Sequence, residues 1–428
     1  MNGHVSRREM LKIMAALAGG IGLVGVQRLL TNAASQAPTA GMTPQAHLPF
    51  VSRSEPTATP TATHPPTPTR TPTPTATTTL GTGPKVIHIH SPNATSWNFS
   101  TGWYGDYVNQ STVNNMIDRG MMALTNAATM ADAWQAILPA YRPGEKVAIK
   151  INLNNAHCND SHQIIDALPQ PINSVIRGLK AIGVAESNIL VYDASNGSPA
   201  NGGHSGEMPA RLVSKVTALY PSIQFHSNTS SCSTALDYST AERIQFAVPP
   251  GKPSISGRPI CNALVNATYL INMPIMKKHG WAGVTLGFKN HFGSFDRCDY
   301  LHWSIDIADP QYTSTYNVLI DMYQNSHFRD KTILTIGDAL YGARVNNYDE
   351  VPSPWPTFGN QAPNSIFFAL DPVAIDCVMC DFLNAEGGIR AGSDDYLRLA
   401  AAAGLGVFER GQPWGTGYSQ INYTRINL

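Results

Sequence analysis

Lys146-Val147-Ala148-Ile149-Lys150-Ile151-Asn152-Leu153 reads as a buried β-strand whose end turns polar. Its side chains are apolar until Lys150 and Asn152, which share a face by the two-residue period of a strand. Comparable runs recur at 85–90, 188–193, 269–273, 332–336 and 365–370. Amphipathic, helix-like stretches lie among them at 113–126, 172–182, 207–220 and 372–384. Short apolar strands interleaved with such helices predict an α/β fold: a largely parallel sheet with helices on both faces, in one large or two-lobed domain. Residues 294–317 are aromatic and polar without clear period, and read as a long loop or insertion.

In open α/β sheets the ligand crevice lies beyond the carboxyl ends of the strands. The strand ends here carry Lys150 and Asn152, then Asp193 ahead of a Gly-rich loop, then Lys277-Lys278-His279, then Gly337-Asp338. Residues 277–298, KKHGWAGVTLGFKNHFGSFDRC, are the densest in polar chemistry. Lysine is a point-charge partner for carboxylate or phosphate, neutral histidine moves protons, and glycines admit backbone N–H groups close to an anion. These residues predict a shared anion site. Lys150, His279 and Asp338 are its catalytic candidates, and Asn152, Lys277, Lys278, Lys289 and Asn290 its substrate-binding candidates. In that scheme the lysines hold the anion, His279 transfers protons and Asp338 orients a base or a metal.

Composition narrows the class further. Of 428 residues 43% are apolar and 14% charged, with 29 basic and 29 acidic side chains, which argues against nucleic acid as the main ligand. Residues 1–40 hold Arg7, Arg8, Lys12 and Arg28 against Glu9, so the remainder carries 25 basic and 28 acidic groups. A basic head on a mildly acidic body is a targeting pattern. The run 13–26 is shorter than the ~20 apolar residues of a membrane span and suits a signal-peptide h-region. Arg7-Arg8, with Leu11 and Lys12 after them, reads as a twin-arginine export signal over residues 1–35, with Met10 where Phe is common. The expected partners are therefore the twin-arginine translocase during export and a small anionic ligand. The expected location is extracytoplasmic: cell surface, periplasm or secreted, with membrane or cell-wall association through the N-terminus left open.

Residues 36–84 read as a disordered Pro/Thr-rich linker. Within it, residues 56–79 hold twelve Thr and seven Pro, leaving nothing to bury in a core. As polyproline II this tract reaches roughly 75 Å at ~3.1 Å per residue. Residues 85–428 form the expected folded domain.

Six cysteines (158, 232, 261, 298, 377 and 380) allow fifteen pairings. Cys232 with Cys261 is the expected bridge if export leads to oxidation. Cys377 and Cys380 form C-x-x-C inside the helix opened by Asp371 and Pro372, and read as packing residues. His88 with His90, and His157 with His162 beside Cys158 and Asp160, leave a metal open but not specified. Residues 85–428 hold no Gly-x-Ser-x-Gly elbow, Walker loop or dinucleotide fingerprint, which disfavours serine hydrolases, P-loop NTPases and typical NAD enzymes.

An ordered series of motifs resembles the domain-of-unknown-function family 362. These are Val147-Ala148-Ile149-Lys150-Ile151-Asn152, Asn272-Met273-Pro274-Ile275-Met276-Lys277-Lys278-His279, Gly283-Val284-Thr285-Leu286-Gly287-Phe288-Lys289-Asn290, Gly337-Asp338-Ala339 and Leu370-Asp371-Pro372-Val373-Ala374-Ile375-Asp376. Some relatives in that family carry ferredoxin-type iron–sulfur modules. This chain lacks the C-x-x-C-x-x-C-x-x-x-C-P run, so no redox cofactor is carried over. Two functions fit: an exported enzyme acting on a small carboxylate or phosphate, or a non-catalytic ligand-binding domain displayed on its stalk.

Overall fold

The computed structural model describes residues 83–153, 156–159, 163–194, 206–228, 231–344 and 351–428. The expected signal peptide and all but the last two residues of the expected linker lie outside them, as do Asp160 and His162. Among the described residues there are thirteen strands: β1 (Lys85–His90), β2 (Val147–Lys150), β3 (Ile189–Tyr192), β4 (Gln224–Ser227), β5 (Thr234–Ala235), β6 (Tyr238–Ile244), β7 (Arg258–Cys261), β8 (Tyr269–Asn272), β9 (Ile275–His279), β10 (Gly283–Thr285), β11 (Thr332–Ala343), β12 (Ser365–Ala369) and β13 (Asn422–Asn427). Eleven of them form one mixed sheet in the order β13-β1-β12-β11-β8-β2-β3-β4-β5, with the β9–β10 hairpin attached to β11. The run from β11 through β8, β2, β3 and β4 to β5 is parallel, and β12 is antiparallel to both its neighbours. β6 and β7 pair separately.

The sheet carries a core on each face. One face packs Ala148, Leu270, Ala339 and Phe367 against the helices Val318–Gln324, Pro372–Ala385 and Asp395–Ala402. The other packs Ile149, Ile271, Ile336 and Leu340 against Gln110–Thr125, Met130–Ile137, Pro169–Ala181 and Ala210–Thr217. This is the α/β architecture that strand and helix periodicity predict.

Local chemistry explains the helix ends. Asn109 accepts the Thr112 amide to open Gln110–Thr125, which buries Val113, Met116, Ile117, Gly120, Met121 and Leu124, the stripe of an amphipathic helix. Gly120 is required there, because a Cβ would lie 2.2 Å from the Phe368 ring of β12. Asp371 accepts from the Val373 and Ala374 amides and Pro372 stands first in Pro372–Ala385, which buries Cys377 and Cys380.

Two expectations are corrected. The strand expected to stop at 336 continues through Gly337 and Asp338 to Ala343, since Gly337 leaves room for Met379 Sδ, 2.4 Å from where a Cβ would be. The disulfide joins Cys158 to Cys232, not Cys232 to Cys261. Cys158 and Cys232 sit in segments following β2 and β4 with their Cα atoms 5.5 Å apart, whereas Cys261 ends β7 fully buried as a free thiol. Residues 294–317 hold no strand of the sheet and one 3₁₀ segment, Cys298–Ser304. Among the described residues no helix is long and apolar enough to cross a membrane.

Candidate functional site

Register brings Asn272, Lys150 and Tyr192 into one row at the carboxyl ends of β8, β2 and β3. They lie on the face of Ala148 and Leu270, and the helix Gly287–Asn290 with the 3₁₀ turn His291–Ser294 covers them. Asn290 is the hub of this contact. Its amide donates to Asn272 Oδ1 (2.7 Å) and to the Lys150 carbonyl (3.4 Å). Its Oδ1 accepts from Lys150 Nζ (3.3 Å) and Asn152 Nδ2 (3.1 Å).

Lys150 is wholly buried and also faces Asp193 Oδ1 at 3.3 Å and the Ile151 carbonyl, so its three N–H donors are engaged. Burial lowers its pKa, and the Asp193 carboxylate opposes that shift. Asp193 in turn accepts the Leu153 amide at 2.8 Å. A Cβ on Gly293 would meet Asp193 Oδ1 at 1.7 Å and Lys150 Nζ at 2.8 Å, so only glycine can pass over this ion pair. Asn152 Oδ1 and His291 Nε2 are buried polar atoms without a hydrogen-bond partner among the described residues.

Outside this network lies a second set of groups. Lys289 is 8% exposed, with Nζ 4.2 Å from the centre of the Phe292 ring. It has no hydrogen bond or ion pair among the described residues, and burial, aided by the Lys150 charge, brings its pKa down to about 8. His279 Nδ1 accepts the Trp281 and Ala282 amides at 3.0 and 3.1 Å, which leaves the ring proton on Nε2. Burial first, then the charges of Lys289, Lys277 and His302, hold its pKa well below the usual histidine range. His279 is therefore a neutral N–H donor at physiological pH. Lys289 also lines a narrow cleft, with room for about one water, together with Ala282, Asn317, Leu319 and Tyr396.

Of the residues singled out in the sequence, the structure thus brings Lys150, Asn152 and Asn290 into one buried network, and Lys277, His279 and Lys289 within electrostatic reach outside it. Lys278 alternates away from Lys277 and donates to the Glu386 carbonyl at 3.1 Å, at the carboxyl end of Pro372–Ala385. Asp338 is not brought to this cluster. It shares strand parity with Ile336 and Leu340 on the opposite face and accepts the Leu340 amide at 2.9 Å, and burial raises its pKa to about 7. Asn272, Asn317, His302 and Asp376 were not among the candidates. Asp376 accepts the Gly287 and Phe288 amides at 2.7 and 3.1 Å and the Tyr396 hydroxyl at 3.0 Å, which seats the start of Gly287–Asn290. Both Asp376 and Asn272 stood within the motifs quoted above, but nothing local marked them as facing the site.

Among the described residues no group of three or more His, Cys, Asp or Glu side chains is placed to hold a metal. His88 instead bonds Tyr423 Oη and Ser365 Oγ, each at 2.8 Å, and His90 bonds the Pro363 carbonyl.

No curated protein matches this sequence. Among solved structures the fold is similar to the lactate racemase apoprotein of Thermoanaerobacterium thermosaccharolyticum, with 13% identity and a TM-score of 0.36. That match covers 72% of this chain and 59% of the other, less than two thirds of its length. The profile of the domain of unknown function DUF362 matches residues 147–381, more than half of the chain, and the chain belongs to that family.

Proposed function

We propose that this protein is an exported enzyme that binds a small carboxylate or phosphate through Lys289 and acts on it beside His279. The supporting observation is Lys289 itself, a nearly buried amine without a hydrogen-bond or ion-pair partner among the described residues. A buried charge without a partner is unfavourable, so an anion that supplies the countercharge binds with that penalty relieved. His279 offers an N–H donor to an oxygen on which charge develops, and Lys289, titrating near pH 8, exchanges a proton close to neutrality. Lys150, Asn152 and Asn290 position the segment that carries Lys289.

The Cys158–Cys232 bridge supports a location outside the reducing cytoplasm, and the Arg7-Arg8 pair supports export by the twin-arginine route. The alternative, a non-catalytic domain displayed on its stalk, is favoured by the Pro/Thr tract at 56–79. Mass analysis separates the two: ligand incubated with the protein returns altered from an enzyme and unaltered from a receptor.

Titration calorimetry with acetate and inorganic phosphate tests the anion site. Lys289→Met keeps most of the apolar stem, and is expected to weaken binding of whichever probe binds by at least tenfold without lowering the melting temperature. Unchanged binding by the variant would overturn the proposal.

A further inference from the structure

The Cys158–Cys232 bridge spans a strand. In the sheet β3 lies between β2 and β4, so those two strands stand two spacings apart, about 9.5 Å. Cys158 follows β2 and Cys232 stands between β4 and β5, yet their Cα atoms are 5.5 Å apart. The two segments therefore lean together across β3, the strand that leads into Asp193.

Hydrogen bonds carry this bridge to the buried ion pair. On the β2 side the Ala210 amide donates to the Cys158 carbonyl at 2.8 Å, and the Cys158 amide donates to Glu207 Oε2 at 2.9 Å. The Glu207 amide donates to the Ala156 carbonyl at 3.0 Å, and the Ala156 amide to the Leu153 carbonyl at 2.8 Å. The Leu153 amide ends the series on Asp193, the counterion of Lys150. On the β4 side the Met208 amide donates to Ser227 Oγ at 3.0 Å, and Ser227 Oγ meets Ser233 Oγ at 2.7 Å. The Asp193 amide donates to the His226 carbonyl at 3.2 Å. Residues 207–210 are thus clamped between the bridged segments, and Asp193 is bonded to both sides.

We propose that the bridge is an oxidation-closed strap, whose closure locks Asp193 against Lys150 and so fixes the anchor of the segment that carries Lys289. On the export reading above, the chain folds as the dithiol and the strap closes outside the cytoplasm. Closure is a thiol–disulfide exchange with a carrier disulfide. Cys232, the more exposed of the two, attacks one carrier sulfur as the thiolate and expels the other as a thiolate. The Cys158 thiolate then attacks Cys232 Sγ, which completes the bridge and expels the second carrier thiolate. Two electrons pass to the carrier, and the two protons lost by the cysteines end on its thiols. Cys261, Cys298, Cys377 and Cys380 are buried and do not compete.

Pulsed acetylation of amines with acetic anhydride tests this on the full chain, held near neutral pH with oxidised glutathione or with dithiothreitol. It needs no ligand, so its outcome is independent of the anion-binding reading. Peptide mass analysis reads Lys150, with Lys331 as the reference, since that side chain precedes β11 and bonds the Leu264 and Val265 carbonyls. Lys150 is expected to label at least tenfold faster in the dithiol form at an unchanged Lys331 rate, as a local opening would give. The variant with Cys158→Ser and Cys232→Ser is expected to label Lys150 at the dithiol rate under both conditions. The comparison within the natural chain stands even where that variant does not fold. Equal Lys150 rates in the two forms would overturn the proposal. So would a rise shared by Lys331, which marks a bridge that holds the whole domain and not this strand end.

Discussion

Lys150 and Asp193 form an ion pair taken wholly out of water, and that decides what each can do. With its three donors directed at Asp193, Ile151 and Asn290, Lys150 fixes geometry. Removing one partner of a buried pair strands the other charge and costs about 3–5 kcal/mol. Asp193→Asn is therefore expected to destabilise by that amount, and adding Lys150→Met to it should recover most of the loss. Denaturant midpoints of the single and double variants measure the coupling, and equal midpoints would mean that the pair is not coupled. Asp338 presents the opposite case. Its carboxyl is near pKa 4 in an unfolded chain and about 7 when buried in the fold. The folded state thus retains its proton while the unfolded state loses it between these values. Stability from this group is full below about pH 4 and falls as pH rises to 7. Asp338→Asn is expected to stabilise more at pH 8 than at pH 4, and an equal effect at both would contradict the buried-acid assignment. The sequence exposed both residues as polar groups near strand ends. It did not show that Lys150 is satisfied or that Asp338 faces the other way, because satisfaction and facing depend on neighbours far along the chain.

The segment from Gly287 to Ser294 shows how an element acquires its place. The helix Gly287–Asn290 is too short to be stable alone. It is held at its start by Asp376 and at its end by Asn290 reaching across to β2 and β8. Gly293 then crosses the ion pair at a distance that no side chain permits. Gly293→Ala is expected to destabilise by several kcal/mol, as overpacking of a buried charged pair, whereas Gly251→Ala, with nothing within 4 Å of its Cβ, suffers only the strain of its positive φ. Thermal melting compares the two, and an equal loss would show that Gly293 is free to shift. The dense polar content of residues 277–298 was legible in the sequence, but the hairpin β9–β10 and the division of labour between Lys277 and Lys278 were not. Those follow from a two-residue alternation whose register is set by β11.

At the scale of the molecule, the Cys158–Cys232 bridge closes a sequence separation of 74 residues and ties together segments that follow β2 and β4. A loop of that length gives an entropic stabilisation of about 4 kcal/mol on the chain-entropy account. Cys158→Ser with Cys232→Ser is expected to lower the melting temperature by several degrees, and reductant should reproduce this in the natural chain but not in the variant. No change in either would mean that other contacts already hold these segments. The residue pattern alone determined the α/β class, the main parallel strands, the amphipathic helices on both faces and the candidate polar segment, because burial is written locally as a period of two or 3.6 residues. Only the tertiary structure decided which polar groups meet. Lys150 and Asn290 are 140 positions apart and Asp376 and Gly287 are 89 apart, and such pairs are chosen by strand register and core packing, neither of which leaves a local trace in the sequence.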